Sequence, residues 1–99
     1  MSAIALMTEH AWTRLQGRRI PLAAVEAAFS WGRRIFARGA EIFVIGRKEV
    51  AKAARFGADL ARFEGVHVVC APGGTIVTAY RNSDLRALRP RRRGRRASR

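Results

Sequence analysis

Apolar residues recur first at helical and then at strand spacing, dividing the chain into helix, helix, strand, strand, helix, strand, strand. Thr8 suits the N-cap of a first helix from Glu9 to Arg19, with Glu9 beside the positive end of the helix dipole. Ile20-Pro21 breaks it, because a residue before proline avoids helical backbone angles. Pro21 fits the first turn of a second helix running to Ser30. Leu22, Val25 and Phe29 share one face of it, and Gly32 ends it. Two strands follow, Arg34–Arg38 and Glu41–Ile45, around the hairpin-length link Gly39-Ala40. The run Ile42-Phe43-Val44-Ile45 is apolar on both faces, which marks a central strand covered on both sides.

Gly46 leads into a third helix from Arg47 to Phe56, with Val50, Ala53 and Ala54 facing inward and Gly57 as the stop. Ala58–Glu64 reads as a helical turn or loop. Strands Val66–Ala71 and Thr75–Arg81 then flank Pro72-Gly73-Gly74, a strong turn signal. The pattern predicts an α+β fold: two N-terminal helices packed on a four-stranded, mainly antiparallel sheet, with a third helix between the two strand pairs. The folded domain is expected over residues 1–85. Residues 86–99 form a basic tail expected to be disordered when unbound, and residues 90–99 within it cannot build a core.

Composition adds a direction. Ninety-nine residues allow one domain, and a hydrophobic fraction of 48% argues against disorder over most of the length. The formal net charge of +13 calls for a polyanion or an acidic protein as partner. Residues 86–99 hold eight arginines and no acid, yet the remainder still carries 12 basic against 7 acidic residues. Cys70 is the only cysteine, so an internal disulfide and a cysteine-built zinc site are excluded and no metal or other cofactor is expected. A reducing cytoplasm fits. Met1–Met7 lacks the basic start and long apolar stretch of a signal peptide, and no apolar run nears the ~20 residues of a membrane span.

Three constellations carry candidate chemistry. His10, Arg14 and Arg18 are spaced to lie along one helix face, where a histidine beside two guanidiniums can hold a phosphate and move a proton. The same spacing also fits arginines merely solvated on an exposed face. Gly46-Arg47-Lys48-Glu49 opens the third helix, where free N–H groups and Arg47 and Lys48 can receive an anion. An ordinary strand-to-helix turn reads the same way. On the last strand, Thr78, Tyr80 and Asn82 share one face, while Val77, Ala79 and Arg81 share the other. Tyr80 can stack on a base, Arg81 can clamp phosphate and Asn82 can read a base edge; the alternative is an edge tyrosine packed on a helix. His67 and Cys70 fall on opposite strand faces, so Cys70 reads as a buried small hydrophobe and His67 as a satisfied or surface residue. The tail arginines, Arg91, Arg92 and Arg93 among them, raise affinity for any polyanion in a salt-dependent way.

Taken together, His10-Ala11-x-x-Arg14-x-x-x-Arg18-x-Ile20, Gly32-Arg33, Gly46-Arg47-Lys48-Glu49, Gly65-Val66-x-Val68-Val69 and Gly74-Thr75-x-Val77-Thr78-x-Tyr80-Arg81-Asn82 resemble a bacterial family of small basic proteins, domain of unknown function family 4258. That family is similar to the barnase, EndoU, colicin and RelE-like group. The resemblance implies a metal-independent endoribonuclease with N-terminal helices on a small antiparallel sheet. It further implies a toxin paired with a protein antitoxin, with His10, Arg14, Arg18, Lys48, Tyr80 and Arg81 as site residues. In such a reaction the RNA 2′-OH attacks its own phosphate to leave a 2′,3′-cyclic phosphate. His10 would act as base or acid, Arg14, Arg18 and Arg81 would stabilise charge, and Tyr80 would donate a proton or stack on a base. Two other readings stay open: a module that binds RNA or a ribosome without cutting, and a basic protein that meets an acidic protein. The enzyme requires the first helix to pack against the end of the last strand.

Overall fold

The computed structural model describes residues 7–82. Thr8 caps helix α1 (Glu9–Gly17): its Oγ1 accepts from the Ala11 N–H at 3.0 Å, and Glu9 occupies the first turn. The helix stops two residues before the expected Arg19. Ile20 N–H bonds the Leu15 carbonyl at 2.9 Å and Arg19 N–H the Gln16 carbonyl at 3.2 Å, with Arg19 left-handed at φ 55°. This is a Schellman turn, and its two apolar partners, Leu15 and Ile20, are both buried.

Pro21 is the N-cap of α2 (Leu22–Trp31) rather than its first helical residue. Ala24, Val25 and Ala28 form its buried stripe, and small alanines let it lie close against the sheet. Gly32 follows because a Cβ there would stand 2.3 Å from the Ala28 carbonyl oxygen.

Strands β1 (Arg33–Ala37) and β2 (Ala40–Val44) are joined by Arg38-Gly39, one residue earlier than expected. Both turn residues have positive φ, 54° and 73°, the two-residue geometry that matches strand twist. Helix α3 (Arg47–Arg55) begins with Glu49 Oε1 accepting from the Gly46 N–H at 2.8 Å. Ala53 is buried and Val50 half-buried, but Ala54, expected inward, is exposed. A short amphipathic helix meets the core along a narrow line, and Ala54 lies 100° further round than Ala53.

A short 3₁₀ turn, Ala61–Phe63, leads to β3 (Val66–Cys70), and β4 (Ile76–Arg81) returns beside it. The sheet order is β1-β2-β3-β4, and all three pairings are antiparallel. The α+β architecture expected from the pattern is therefore present, with β2 inside the sheet as its apolar run implies. A bulge shifts the register by one residue between Val69, which opposes Thr78, and Cys70, which opposes Ile76.

Alternation along the strands separates two faces. Val66, Val68, Cys70, Ile76 and Ala79 join one core with Leu15, Val25, Ala53 and Phe63, so all three helices share that side. Ile42 and Val44, packed with Ile35, Ala37 and Val69, form a second cluster on the other side.

Candidate nucleic-acid interface

Helix α1 lies along the outer edge of β4 and runs in the same direction. Thr8 N–H bonds the Ile76 carbonyl at 3.1 Å, and ten residues later Arg18 Nη1 donates to the Ala79 carbonyl at 2.7 Å and to Thr78 Oγ1 at 3.3 Å. The packing of the first helix on the last strand is thus met, and Arg18 is the residue that fastens it. His10 is exposed in the first turn, at the Ile76 end. Tyr80 sits four residues further along β4, about 13 Å of strand at ~3.3 Å per residue. Arg14 is exposed between these ends.

Strand alternation sends Tyr80 and Arg81 to opposite faces. Arg81, opposite Val66, lies on the helix side, where its Nη1 donates to the Arg62 carbonyl at 2.9 Å. The Arg62 guanidinium is 5.0 Å from the centre of the Phe63 ring, a cation–π contact. These residues, with Pro21 and Ala23, line an open cleft of about 420 Å³ that has no carboxylate among its lining residues. Arg18 and Arg19 precede Pro21, one of its lining residues, by three and two positions in the sequence. Arg62 is a residue that sequence reasoning missed. It stands in a stretch read only as a turn, with no periodic signal to single it out.

On the second face Tyr80 packs on His67, their ring centroids 5.0 Å apart and inclined at 59°. Burial raises the phenol's pKa, and the charge of Arg38 works against that rise. His67 is fully buried. Burial pulls its pKa below the ordinary histidine value, opposed by hydrogen bonding to the Asn82 backbone. Neither ring nitrogen reaches a partner of good geometry among the described residues, so the reading of His67 as a satisfied or surface residue is corrected. The reason is its place: β3 is an interior strand, and its Val-His-Val-Val-Cys run is covered on both faces. Asn82 itself is tied to the sheet end, its N–H bonding the Gly65 carbonyl at 2.6 Å.

The remaining candidates are dispersed. Arg47 and Lys48 are exposed at the start of α3, where Glu49 already takes up the Gly46 N–H. Arg91, Arg92 and Arg93 lie outside the described residues. Cys70 is buried and its thiol is pushed up to about 11, by burial first and the charge of Glu41 second, as suits a small hydrophobe and not a nucleophile. Among the described residues no group of histidine, cysteine, aspartate and glutamate is placed to hold a metal ion, and no helix is long and apolar enough to cross a membrane.

Of the twelve lysines and arginines in residues 7–82, Arg34 alone is ion-paired among the described residues, 3.0 Å from Glu41. The basic surface is therefore largely uncompensated from within. Compared with protein-family models, with curated proteins and with solved structures, the chain matches none.

Proposed function

We propose that this chain binds RNA and holds its phosphates at the arginine cleft formed by Arg62 and Arg81, with Arg18 and Arg19 beside it. The observation that carries the reading is that two guanidiniums are fixed in advance with no lining acid to neutralise them. Like charges lining one cleft repel, and a bound phosphate relieves that repulsion. Guanidiniums already ordered by a carbonyl and a ring lose less freedom when an anion arrives. The lone Cys70 suits a reducing cytoplasm, where RNA is at hand.

Fluorescence anisotropy with a short single-stranded RNA, from about 50 to about 200 mM salt, tests this. Arg62→Ala and Arg81→Ala should each weaken binding at low salt, and each lost phosphate contact should flatten the log–log salt slope by ~0.7. Lys52→Ala, on α3, should bind nearly as tightly as the parent chain. Wild-type affinity and slope in both arginine variants would overturn the cleft as the site.

A second reading is the metal-independent endoribonuclease, cleaving through 2′-OH attack and restrained by a protein antitoxin. The seating of α1 on β4 through Arg18 favours it, because that contact brings a helix-borne cation to the last strand. The His10 and Tyr80 anchors at opposite ends of β4 weigh against those two as its acid–base pair. RNA cleavage in EDTA that is lost in both His10→Ala and Arg81→Ala, with folding intact, supports the enzyme. Binding without cleavage by the parent chain leaves the module.

A further inference from the structure

Three large aromatic side chains stand exposed among the described residues, and they differ in what surrounds their rings. Phe36 is 71% exposed on β1, but the Arg34 guanidinium, itself paired with Glu41, lies 5.7 Å from its ring centre. Trp12 is 39% exposed and borders an open hollow with Met7, Thr8 and Glu9, where a carboxylate repels a polyanion. Phe56 is 72% exposed, and its ring neighbour is Trp31, with centroids 5.8 Å apart and planes inclined by 35°.

Two helix ends bring these rings together. Trp31 is the last residue of α2, and Phe56 is the C-cap of α3, its N–H bonded to the Ala53 carbonyl at 2.9 Å. Rings at that separation and tilt attract one another, so Trp31 holds Phe56 in place while most of the phenyl surface faces solvent. A lone exposed phenylalanine is ordinary on a protein surface. The company it keeps here is not. Arg55 precedes it, and Arg33 follows Trp31 by two positions; both are exposed, and neither is ion-paired among the described residues. Asp59, the nearest acid in sequence, has one carboxylate oxygen accepting from the Ala61 N–H at 3.1 Å. A fixed ring with free guanidiniums beside it in the chain is the chemistry that receives a base and its phosphate.

Its place in the fold agrees. Pro21 and Ala23, at the start of α2, line the arginine cleft, and Trp31 closes the same helix. Ten residues of helix span about 15 Å, a short run for a single strand already held by its phosphates at Arg62 and Arg81.

We propose that Phe56, backed by Trp31, is a stacking platform for one unpaired base of a single-stranded RNA, with Arg55 on the adjoining phosphate. The inference rests on the RNA reading and deepens it by naming the ligand as single-stranded. A duplex keeps its bases stacked on one another and offers the ring no face. Glu26, exposed midway along α2, leaves the strand gripped at the two ends of the helix rather than along it.

Fluorescence anisotropy of the full chain with a short single-stranded RNA at about 50 mM salt, repeated at about 200 mM, compares the parent with Phe56→Ala and Phe56→Trp. Phe56→Ala should weaken binding about fivefold or more with an unchanged salt slope, because a stacked base is lost and a phosphate contact is not. Phe56→Trp should bind at least as tightly as the parent. A fully base-paired RNA should bind the parent and Phe56→Ala alike. A second readout leaves position 56 untouched. In Trp12→Phe the remaining tryptophan is Trp31, and single-stranded RNA should quench its fluorescence where inorganic polyphosphate does not. Parent affinity in Phe56→Ala would overturn the platform and leave the arginine cleft standing. Should Phe56→Ala fail to fold, the Trp31 signal decides: no quenching overturns the platform. No RNA binding by the parent chain would overturn both the platform and the RNA reading beneath it.

Discussion

Strand β3 feeds two different environments from five residues. Toward the helices it gives Val66, Val68 and Cys70, and the core continues into Leu15, Ala24, Val25 and Ala28. Toward the other side it gives Val69, half-buried in a cluster drawn from strands alone, and a fully buried histidine packed against Tyr80. The helix face is an ordinary two-layer core whose polar groups are elsewhere. The second face places a titratable ring where only apolar groups belong, beside a tyrosine and within the field of Arg38. The difference teaches that stability and sensitivity are divided between the faces. One supplies the hydrophobic energy, and the other is where a change of proton or partner is felt.

The largest expected effect breaks the helix face. Leu15 is fully buried at the junction of α1 with the sheet. Leu15→Ala should cost about 2–5 kcal/mol in urea unfolding, through lost transfer energy and the cavity left behind. A matched pair then sharpens the contrast, since Val68 and Val44 are both 0% exposed on interior strands but on opposite faces. Val68→Ala should cost about 2 kcal/mol, where rigid helices cannot close the cavity. Val44→Ala should cost about 1 kcal/mol, because the smaller cluster of strand residues on its face gives the side chain fewer packing partners to lose. Equal costs would mean that the two faces are equally rigid.

The next prediction reads the second face alone. Burial holds the folded-state pKa of His67 below its unfolded value, so the fold favours the neutral ring. That contribution is fully present above the unfolded pKa and is lost as pH falls through it toward the folded one. Stability should therefore drop as pH falls below the ordinary histidine value of about 6.5, and His67→Leu should remove that slope while leaving any carboxylate-driven loss at lower pH. Chemical denaturation at a series of pH values checks it. An unchanged slope in the variant would transfer the acid sensitivity to other groups.

The architecture was legible because periodicity carries it: helical spacing in α1 and α2 and the Pro72-Gly73-Gly74 turn between β3 and β4 place the elements in order. Boundaries moved where short-range backbone geometry decides, as at Arg38-Gly39, whose left-handed pair starts the turn one residue early. Cys70 was legible as a buried hydrophobe from its strand position. His67 was not, since alternation states which face a residue takes but not whether that face is covered. Arg62 was invisible for a related reason: the carbonyl that holds Arg81 and the ring beneath its own guanidinium meet only in the folded chain.

The smallest effect tests whether the arginine cleft is selected or incidental. In the described part the two non-glycine residues with positive φ are both arginines, Arg19 and Arg38. Arg19 occupies the C′ position of a Schellman turn, where glycine is the preferred residue. A left-handed side-chain residue costs ~1–2 kcal/mol, and glycine returns roughly 0.5–1 kcal/mol of that to the unfolded chain as entropy. Arg19→Gly should therefore raise stability by about 0.5–1 kcal/mol, seen as a Tm a few degrees higher. It should also weaken RNA binding at low salt, because it removes a cation two residues before Pro21, which lines the Arg62–Arg81 cleft. Gain and loss together would show a charge kept at the expense of the backbone. A gain in stability with unchanged binding would make Arg19 a product of the chain's general bias toward arginine, and would confine the phosphate site to Arg62 and Arg81.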